Sequence, residues 1–317
     1  MTSYIIRRLL LLVPVAFFVS VITFLLIHLV PGDPARVLLG EDVTPQALAA
    51  LRQELGLNRP LYEQYVLWLN QALHGNLGES IILHQPVLQA IIQRLPVTVE
   101  LGVGALLFSL ILSVPTGIAA ATRRGSQLDW LLNVASLLGT TIPPFVLGLL
   151  LILAFAVLMR AFPPGGYLPF AEDPLSNLRD LVLPVIALGS GSVAVNFRQV
   201  RASMLEVLGQ DYIRTARAAG LSPLRVNYRH ALPNALLPLL TLVGLQAGAI
   251  LAGAVVIETI FLWPGVGQLV VSSILSKDYP VVQGVVLLSA LSYMLINLVV
   301  DVAYTVVDPR ISHGKQR

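Results

Sequence analysis

Six apolar runs, each long enough to cross the hydrocarbon core of a bilayer, constrain the fold of this chain more than any other feature. They cover residues 9–30, 97–121, 131–159, 181–200, 235–262 and 281–307. Because hydrocarbon offers no water to backbone N–H and C=O groups, each run must satisfy its own hydrogen bonds, as an α-helix does. The sequence therefore predicts an all-α membrane protein with six transmembrane helices.

The composition agrees with a protein that crosses the membrane several times. Hydrophobic residues make up 56% of the 317 residues and charged residues 12%, about half the charged share of a soluble domain. The net charge of +3 does not indicate nucleic-acid binding, because arginines in membrane proteins commonly mark the cytoplasmic side. Cysteine is absent, which excludes disulfides and thiol catalysis.

The basic residues predict the orientation of the chain. Arg7 and Arg8 precede the first run, and further arginines follow the second, fourth and sixth runs. The positive-inside rule then places both termini in the cytoplasm. Arg198 and Arg201 fall at the inner end of the fourth helix, from where long side chains reach the interface by snorkelling. The first run exceeds the apolar core of a signal peptide, about 7–15 residues, so we interpret it as an uncleaved signal anchor.

The polar segments divide the chain into regions with different expected roles. We predict an N-terminal signal-anchor helix at residues 1–30, an extracytoplasmic helical cap at 31–95, a core of five transmembrane helices at 96–310 with a cytoplasmic loop at 202–233, and a cytoplasmic tail at 311–317. In the cap, one helical face between Pro60 and Leu73 is apolar and is expected to pack on the membrane domain or at the headgroups. It carries Leu61, Tyr65, Trp68, Leu69 and Ala72.

The cytoplasmic loop contains a short helical segment at about residues 211–221. Its alanines favour a helix, Gly220 is a natural stop, and Pro223 prevents continuation. A short helix across the inner face of a membrane domain acts as a rigid lever, because a push on it moves the attached transmembrane helices.

The same loop resembles the coupling loop, or EAA motif, of ATP-binding-cassette (ABC) importer permeases. That motif places Gly twelve residues before Leu-Pro, as Gly220 stands before Leu232-Pro233 here, and Ala216 matches its second alanine. Arg214 and Thr215 replace the Glu and first Ala of the motif. This departure is similar to the peptide and nickel branch, which typically reads Tyr-Ile-Arg-Thr-Ala-Arg-Ala-Lys-Gly, although this chain has Ala219 in place of the lysine.

The resemblance extends over nearly the whole chain and looks closest to the B-type subunit of dipeptide, oligopeptide or glutathione permeases. Three further matching stretches are Pro31-Gly32-Asp33-Pro34, Trp263-Pro264-Gly265-Val266-Gly267 and Asp308-Pro309-Arg310. It implies a type I ABC importer permease fold, in which residues 96–310 form the permease core of a protein of the bacterial cytoplasmic (inner) membrane. It also implies ATPase-coupling roles for Tyr212, Arg214, Thr215, Ala216, Arg217, Gly220, Leu221, Leu232 and Pro233.

The resemblance further implies a division of labour between subunits. The chain would form half of a translocation path for di- or oligopeptides or glutathione-like peptides, with a homologous permease subunit, expected to be a paralogue, as the other half. Two cytoplasmic ATPase subunits would bind ATP and Mg²⁺, an extracytoplasmic binding protein would deliver the solute, and lipid would surround the bundle. The chain has no Gly-x-x-x-x-Gly-Lys-Ser/Thr loop, so we expect no ATPase site and no cofactor of its own.

A few polar residues within the apolar runs are candidates for the path or its gate. They are Glu258, Asn196, Gln246, Asn297 and Trp263. Intramembrane carboxylates default to functional hypotheses. Glu258 has two interpretations: it receives the amino terminus of a peptide, or it forms a structural hydrogen bond at the turn near Trp263. The amides have two interpretations, lining the path or bonding helix to helix.

Three other functions remain as alternatives. A nickel or metal-chelate importer shares most of the motifs, although no metal-ligand cluster predicts a bound metal. A stand-alone channel would have no need of an ATPase lever. A membrane protease, suggested by Gly189-Ser190-Gly191-Ser192, would require a base such as histidine near the serine, and no histidine falls in a later transmembrane run. Close helix packing by small residues explains that stretch better.

Overall fold

A computed structural model describes residues 2–29, 44–54 and 58–307, and these residues are almost entirely helical. Among these described residues, β-structure is limited to one isolated antiparallel bridge between Glu79 and Pro86. The all-α class predicted from the sequence is therefore confirmed. The main helices are α1 Thr2–Leu29, α2 Pro45–Glu54, α3 Leu61–Leu73, α4 Val87–Thr122, α5 Gln127–Thr141, α6 Pro144–Leu151, α7 Pro174–Leu208, α8 Asp211–Ala218, α9 Leu237–Ile260, α10 Val266–Leu275 and α11 Tyr279–Val307.

Four of these helices are long and apolar enough to cross a membrane, namely α4, α7, α9 and the Tyr279–Val300 part of α11. A fifth span results when α5 and the helix that begins at Pro144 are counted together as one broken span. In α1 the described apolar part, Leu10–Leu25, is shorter than these spans. The described residues thus give four or five spans, and the predicted count of six stays a prediction.

The third predicted span, residues 131–159, is broken near its middle. Helix α5 ends at Thr141, α6 begins at Pro144, and the two directions differ by 102°. Proline disfavours the helical conformation in the residue before it, and Ile142 accordingly has φ −80° and ψ 119°. From the sequence, the adjacent Pro143 and Pro144 predict a kinked helix. The structure shows a full break, because Pro143 and Pro144 also remove two N–H donors in succession.

Two of the membrane helices extend well beyond their apolar runs. Helix α4 begins at Val87, ahead of the predicted start at residue 97, and α7 covers more than the predicted 181–200. The start of α7 carries a regular capping signal, since the Asp173 carboxylate accepts hydrogen bonds from the N–H groups of Leu175 and Ser176. Hydropathy marks the part of a helix in hydrocarbon, whereas caps mark its ends.

Residues 97–264, together with the described residues 296–307, form one compact unit. Its interior has two apolar clusters, one around Leu101, Ile257 and Trp263 and another around Met204 and Ile213. A Cβ added at Gly189 of α7 would lie 2.9 Å from the carbonyl oxygen of Ala105 in α4, so the two backbones pack at this glycine. The Ser190 hydroxyl donates to the carbonyl of Ala187 in its own helix, at 3.0 Å. Both contacts favour the packing interpretation of this stretch.

The described parts of residues 2–96 and residues 265–295 form a second compact unit. Helix α3 packs on α1 through aromatic rings, with Phe24 lying 5.5 Å from Tyr65 and 5.9 Å from Trp68 between ring centroids. The hydroxyls of Tyr65 and Ser20 share a hydrogen bond of 2.8 Å. The predicted apolar face of α3 is therefore used for packing, except at Leu61, which lies in the first turn and is 51% exposed.

Candidate functional site

Helix α8, the predicted coupling helix, is a polar helix with one fully buried apolar side chain. Ile213 is fully buried and packs in the cluster that contains Met204, Val207 and Val226. Asp211 lies in the first turn and Arg217 in the last turn, the arrangement that the helix dipole favours. Sequence analysis did not single out Ile213, although it is the isolated aliphatic residue among polar and small neighbours.

The end of α8 is closed by a Schellman motif at Gly220. The N–H of Gly220 donates to the Arg217 carbonyl at 3.0 Å, and the N–H of Leu221 donates to the Ala216 carbonyl at 3.3 Å. Gly220 has φ +78°, the left-handed conformation that this motif requires. Leu221 and Ala216 also pack against the cluster around Ile213, and this contact fixes the angle at which the chain leaves the helix.

The chain returns from α8 to the membrane helices through a compact helical segment. It consists of Pro223–Arg225, a π-helical stretch Val226–Ala231 and Leu232–Ala235. Val226 and Ala231 are fully buried in the same cluster, and Leu232 packs against it. The π-helical stretch ends ahead of Pro233, whose missing N–H interrupts the regular hydrogen-bond pattern. The Leu232-Pro233 pair of the motif thus anchors the far end of the loop.

Tyr212 joins the helix to this return segment. Its hydroxyl accepts a hydrogen bond from the Asn234 amide at 2.9 Å and donates to the His230 carbonyl at 3.4 Å. Two neighbouring residues, Tyr212 and Ile213, therefore attach α8 to the return segment and to the buried cluster. The contact between Tyr212 and Asn234 is a further feature that sequence analysis did not identify, because the two residues are far apart along the chain.

The outer face of α8 is polar and exposed. Arg214, Thr215 and Arg217 are all exposed. Arg214 forms an ion pair of 3.3 Å with Asp211. The side chain of Arg214 is 72% exposed and that of Asp211 is 95% exposed, so solvent weakens the pair. The nine predicted coupling residues therefore fall into two groups. The inner group is Ala216, Leu221 and Leu232, and the outer group is Tyr212, Arg214, Thr215, Arg217, Gly220 and Pro233.

Glu258, predicted at the path or gate, is fully buried between α9 and α4. Its carboxylate accepts a hydrogen bond of 2.6 Å from the Thr98 hydroxyl. Its backbone carbonyl accepts from the Trp263 N–H at 2.8 Å, which is the turn contact considered in the sequence analysis. The geometry favours the structural interpretation of Glu258 in the conformation seen here.

Trp263 closes the same end of α9. It is fully buried, and its ring lies 4.9 Å from that of Tyr167 in an edge-to-face arrangement. The Tyr167 hydroxyl donates to Glu100 at 2.9 Å, and burial together with this hydrogen bond raises the pKa of Tyr167 to about 12. Trp263 therefore packs inside the unit in this conformation, and it does not line an open path.

The predicted amides Asn196 and Gln246 form one buried network between helices. The Gln246 amide donates to the Asn196 side-chain oxygen at 2.9 Å, and the Asn196 amide donates to the Ser109 hydroxyl at 3.3 Å. These contacts connect α9, α7 and α4, as expected for polar side chains between membrane helices. Asn297 is half-buried in α11. The helix-bonding alternative therefore describes Asn196 and Gln246 in this conformation.

Arg201 was expected to snorkel, and that expectation is wrong. Its guanidinium instead makes two hydrogen bonds to the carboxylate of Asp129 in α5, at 2.7 and 2.8 Å. The cap of α5 positions Asp129, because the Ser126 hydroxyl accepts a hydrogen bond from the Asp129 N–H at 3.2 Å. The spacing Ser-x-x-Asp at residues 126–129 is a capping signal that was not identified from the sequence.

Among the described residues, no group of three or more His, Asp or Glu is placed to hold a metal ion.

Two family models together match nearly the whole chain. Residues 113–313 match the family described as binding-protein-dependent transport system inner membrane component, and residues 1–102 match the N-terminal family of the same membrane components. A solved structure of the MetNI methionine ABC transporter in an inward-facing conformation has a TM-score of 0.56 at 17% identity. The alignment covers 69% of this chain and 97% of that chain, and it confirms the predicted permease fold.

Two relatives align with the whole chain. The di/tripeptide transport system permease protein DppB of Pseudomonas aeruginosa is 44% identical over 336 residues, covering 99% of this chain and 100% of the relative. The dipeptide transport system permease protein DppB of Escherichia coli K12 is 41% identical over 339 residues, with the same coverage. The chain is thus a membrane-spanning transport subunit, and it belongs to the family of binding-protein-dependent transport system inner membrane components.

Proposed function

We propose that this chain forms half of the path through which an ATP-driven importer moves di- or oligopeptides, or glutathione-like peptides, across the bacterial inner membrane. The observation that carries the proposal is the coupling helix α8, which is anchored by Ile213, capped at Gly220 and exposed along its polar face. The peptide cargo is supported by relatives of full length that are named as dipeptide and di/tripeptide permeases.

The power for transport comes from partner subunits. The chain lacks a phosphate-binding loop, so ATP and Mg²⁺ bind to two cytoplasmic ATPases and this chain has no enzymatic activity. The exposed Arg214 and Arg217 of α8 contact acidic groups of one ATPase. When the two ATPases close on ATP, they push the coupling helices together and switch the membrane helices between two states.

The assembly has a second permease subunit and a binding protein. We expect the second permease to be a homologous chain, so that the pair is a heterodimer with one coupling helix on each side. Both termini lie in the cytoplasm, because the arginines that precede the first run and follow the second belong on that side. The binding protein then delivers solute to the opposite face, which the cap region occupies.

The cargo is tested by reconstituting the chain with its partner subunits and binding protein in liposomes loaded with ATP. We expect uptake of labelled dipeptides or longer peptides, or of glutathione. Uptake of a nickel chelate in place of peptides would replace the proposed cargo by the alternative and leave the permease role intact. Absence of ATP-dependent uptake for every solute would contradict the proposal.

A further inference from the structure

The Asp129 carboxylate accepts hydrogen bonds from Arg201, Gly125 and Asn133. Both carboxylate oxygens accept from the guanidinium, at 2.7 and 2.8 Å. The same carboxylate accepts from the Gly125 N–H at 3.0 Å and from the Asn133 amide at 2.8 Å. Asp129 is 5% exposed. Because Arg201 binds both oxygens of the carboxylate as a bidentate fork, the carboxylate and the guanidinium have one relative orientation.

This pair lies where the coupling loop joins the membrane helices. Arg201 is about two turns, or about 10 Å, from the end of α7 at Leu208, given a rise of about 1.5 Å per residue. Those last two turns carry Met204 and Val207, which pack against Ile213 of the coupling helix. On the other side of the pair, Asp129 lies in the first turn of α5, which leads directly to the break at Pro143-Pro144. A continuous packed route therefore connects α8 with the broken span.

We propose that Arg201, held by Asp129, is a positioning residue that makes α5 and the coupling loop move as one body during transport. The inference rests on the proposed function, in which α8 is the lever. Near the break, α5 and α7 touch at Gly139, where an added Cβ would lie 3.2 Å from the Ala194 side chain. Neither glycine nor alanine has a polar side-chain atom, so this contact includes no side-chain hydrogen bond that would fix the rotation of one helix against the other. The bidentate fork at the cytoplasmic end supplies the missing constraint on rotation.

Simple stabilisation explains the pair less well. A shielded ion pair contributes little net stability, because desolvation of the two charges offsets their attraction. An arginine that served only to mark the cytoplasmic side would be exposed, as Arg198 is one turn earlier in α7. Arg198 is therefore a matched control: it has the same charge and belongs to the same helix, but it is not part of the fork.

The first test measures peptide uptake and ATP hydrolysis together in the reconstituted transporter. Arg201→Lys keeps the charge but replaces the planar fork by a point charge. We expect a complex that assembles and hydrolyses ATP, with the number of peptides moved per ATP reduced about tenfold. Arg198→Lys should leave that ratio unchanged. In the double variant Asp129→Asn/Arg201→Gln, the number of peptides moved per ATP should fall no further than in the more impaired of the two single variants. The reason is that the two residues act as a unit.

The second test measures a distance and does not depend on the cargo. The chain has no cysteine, so Gln127→Cys and Ala202→Cys, both at exposed positions, introduce one spin-label pair on α5 and α7. We expect a single narrow distance distribution that is the same with and without ATP, and a broadened one in Arg201→Lys. An unchanged distribution in Arg201→Lys, or a distance that changes on ATP binding in the parent protein, would overturn the proposal even if the cargo assignment also failed.

Discussion

At the scale of single residues, backbone conformation and burial decide which side chains matter. Gly220 has φ +78°, and a Cβ built there meets no atom within 4 Å. Any penalty for replacing it thus comes from the backbone, because the left-handed conformation costs an L-residue about 1–2 kcal/mol. That cost opposes the Schellman motif that ends α8, and so it acts on the lever itself.

Gly220→Val should abolish coupled uptake while the chain still inserts and assembles, because the strained motif releases the end of α8. The measurement is peptide uptake per ATP hydrolysed in liposomes. Gly75→Val is the matched control, since Gly75 has nearly the same φ of +81° and lies outside the loop. Equal loss in both variants would show that strain anywhere has the same effect, contrary to a specific role for Gly220.

Glu258→Gln should affect all cargoes alike. The carboxylate is fully buried and accepts from Thr98, and glutamine keeps the acceptor while it removes the charge. The measurement compares uptake of one peptide with a free and with an acetylated amino terminus, so that the ratio of the two isolates recognition of the amine. A loss confined to the free peptide would assign Glu258 to cargo recognition and contradict the structural role.

At the scale of elements, the coupling loop depends on one buried anchor. Ile213→Ala should detach α8 from the cluster around Met204, since truncating a buried isoleucine costs about 2–5 kcal/mol. We expect faster hydrogen exchange across residues 211–218 and ATP hydrolysis that no longer drives uptake. Leu224→Ala is the control, because Leu224 is 72% exposed. Unaltered exchange in the Ile213 variant would show that α8 does not depend on this contact.

A second contact between elements, from the turn between α10 and α11 to residues 80–82, should contribute to thermal stability. Asp278 is 1% exposed and accepts from the N–H groups of Ile81 and Ile82, each at 3.2 Å, as well as from the Ser80 hydroxyl. Asp278→Ala should lower the free energy of unfolding by about 1–3 kcal/mol, because it leaves these donors unpaired. Thermal unfolding in detergent measures this change in stability. The control is Lys277→Ala, which changes the exposed residue next to Asp278. Equal melting temperatures for both variants would contradict the assignment.

The sequence was informative about elements wherever a local signal existed. Apolar runs predicted the membrane helices, and Gly220 with Pro223 predicted the end of the coupling helix close to its observed position. Long-range partners left no such signal. The link from Tyr212 to Asn234 and the pair of Arg201 with Asp129 depend on how helices approach each other. Similarly, two prolines predicted a kink, but the 102° angle depends on the packing of both halves.

At the scale of the whole molecule, the proposed role of this subunit is to convert the motion of a partner into movement of its own helices. Family membership and the permease fold are shown by residues 113–313 and by relatives that match along the full chain. Of the two compact units, one contains the predicted coupling loop and the buried polar network, and the other contains the helices of the described cap region.

Solute flux in liposomes, measured with and without the partner subunits, distinguishes a coupled importer from a channel. We predict that peptide uptake requires the ATPases, hydrolysable ATP and the binding protein, and that this chain alone conducts nothing. Flux of solute through the chain alone, independent of ATP, would contradict the account and would indicate a channel instead of one half of a pump.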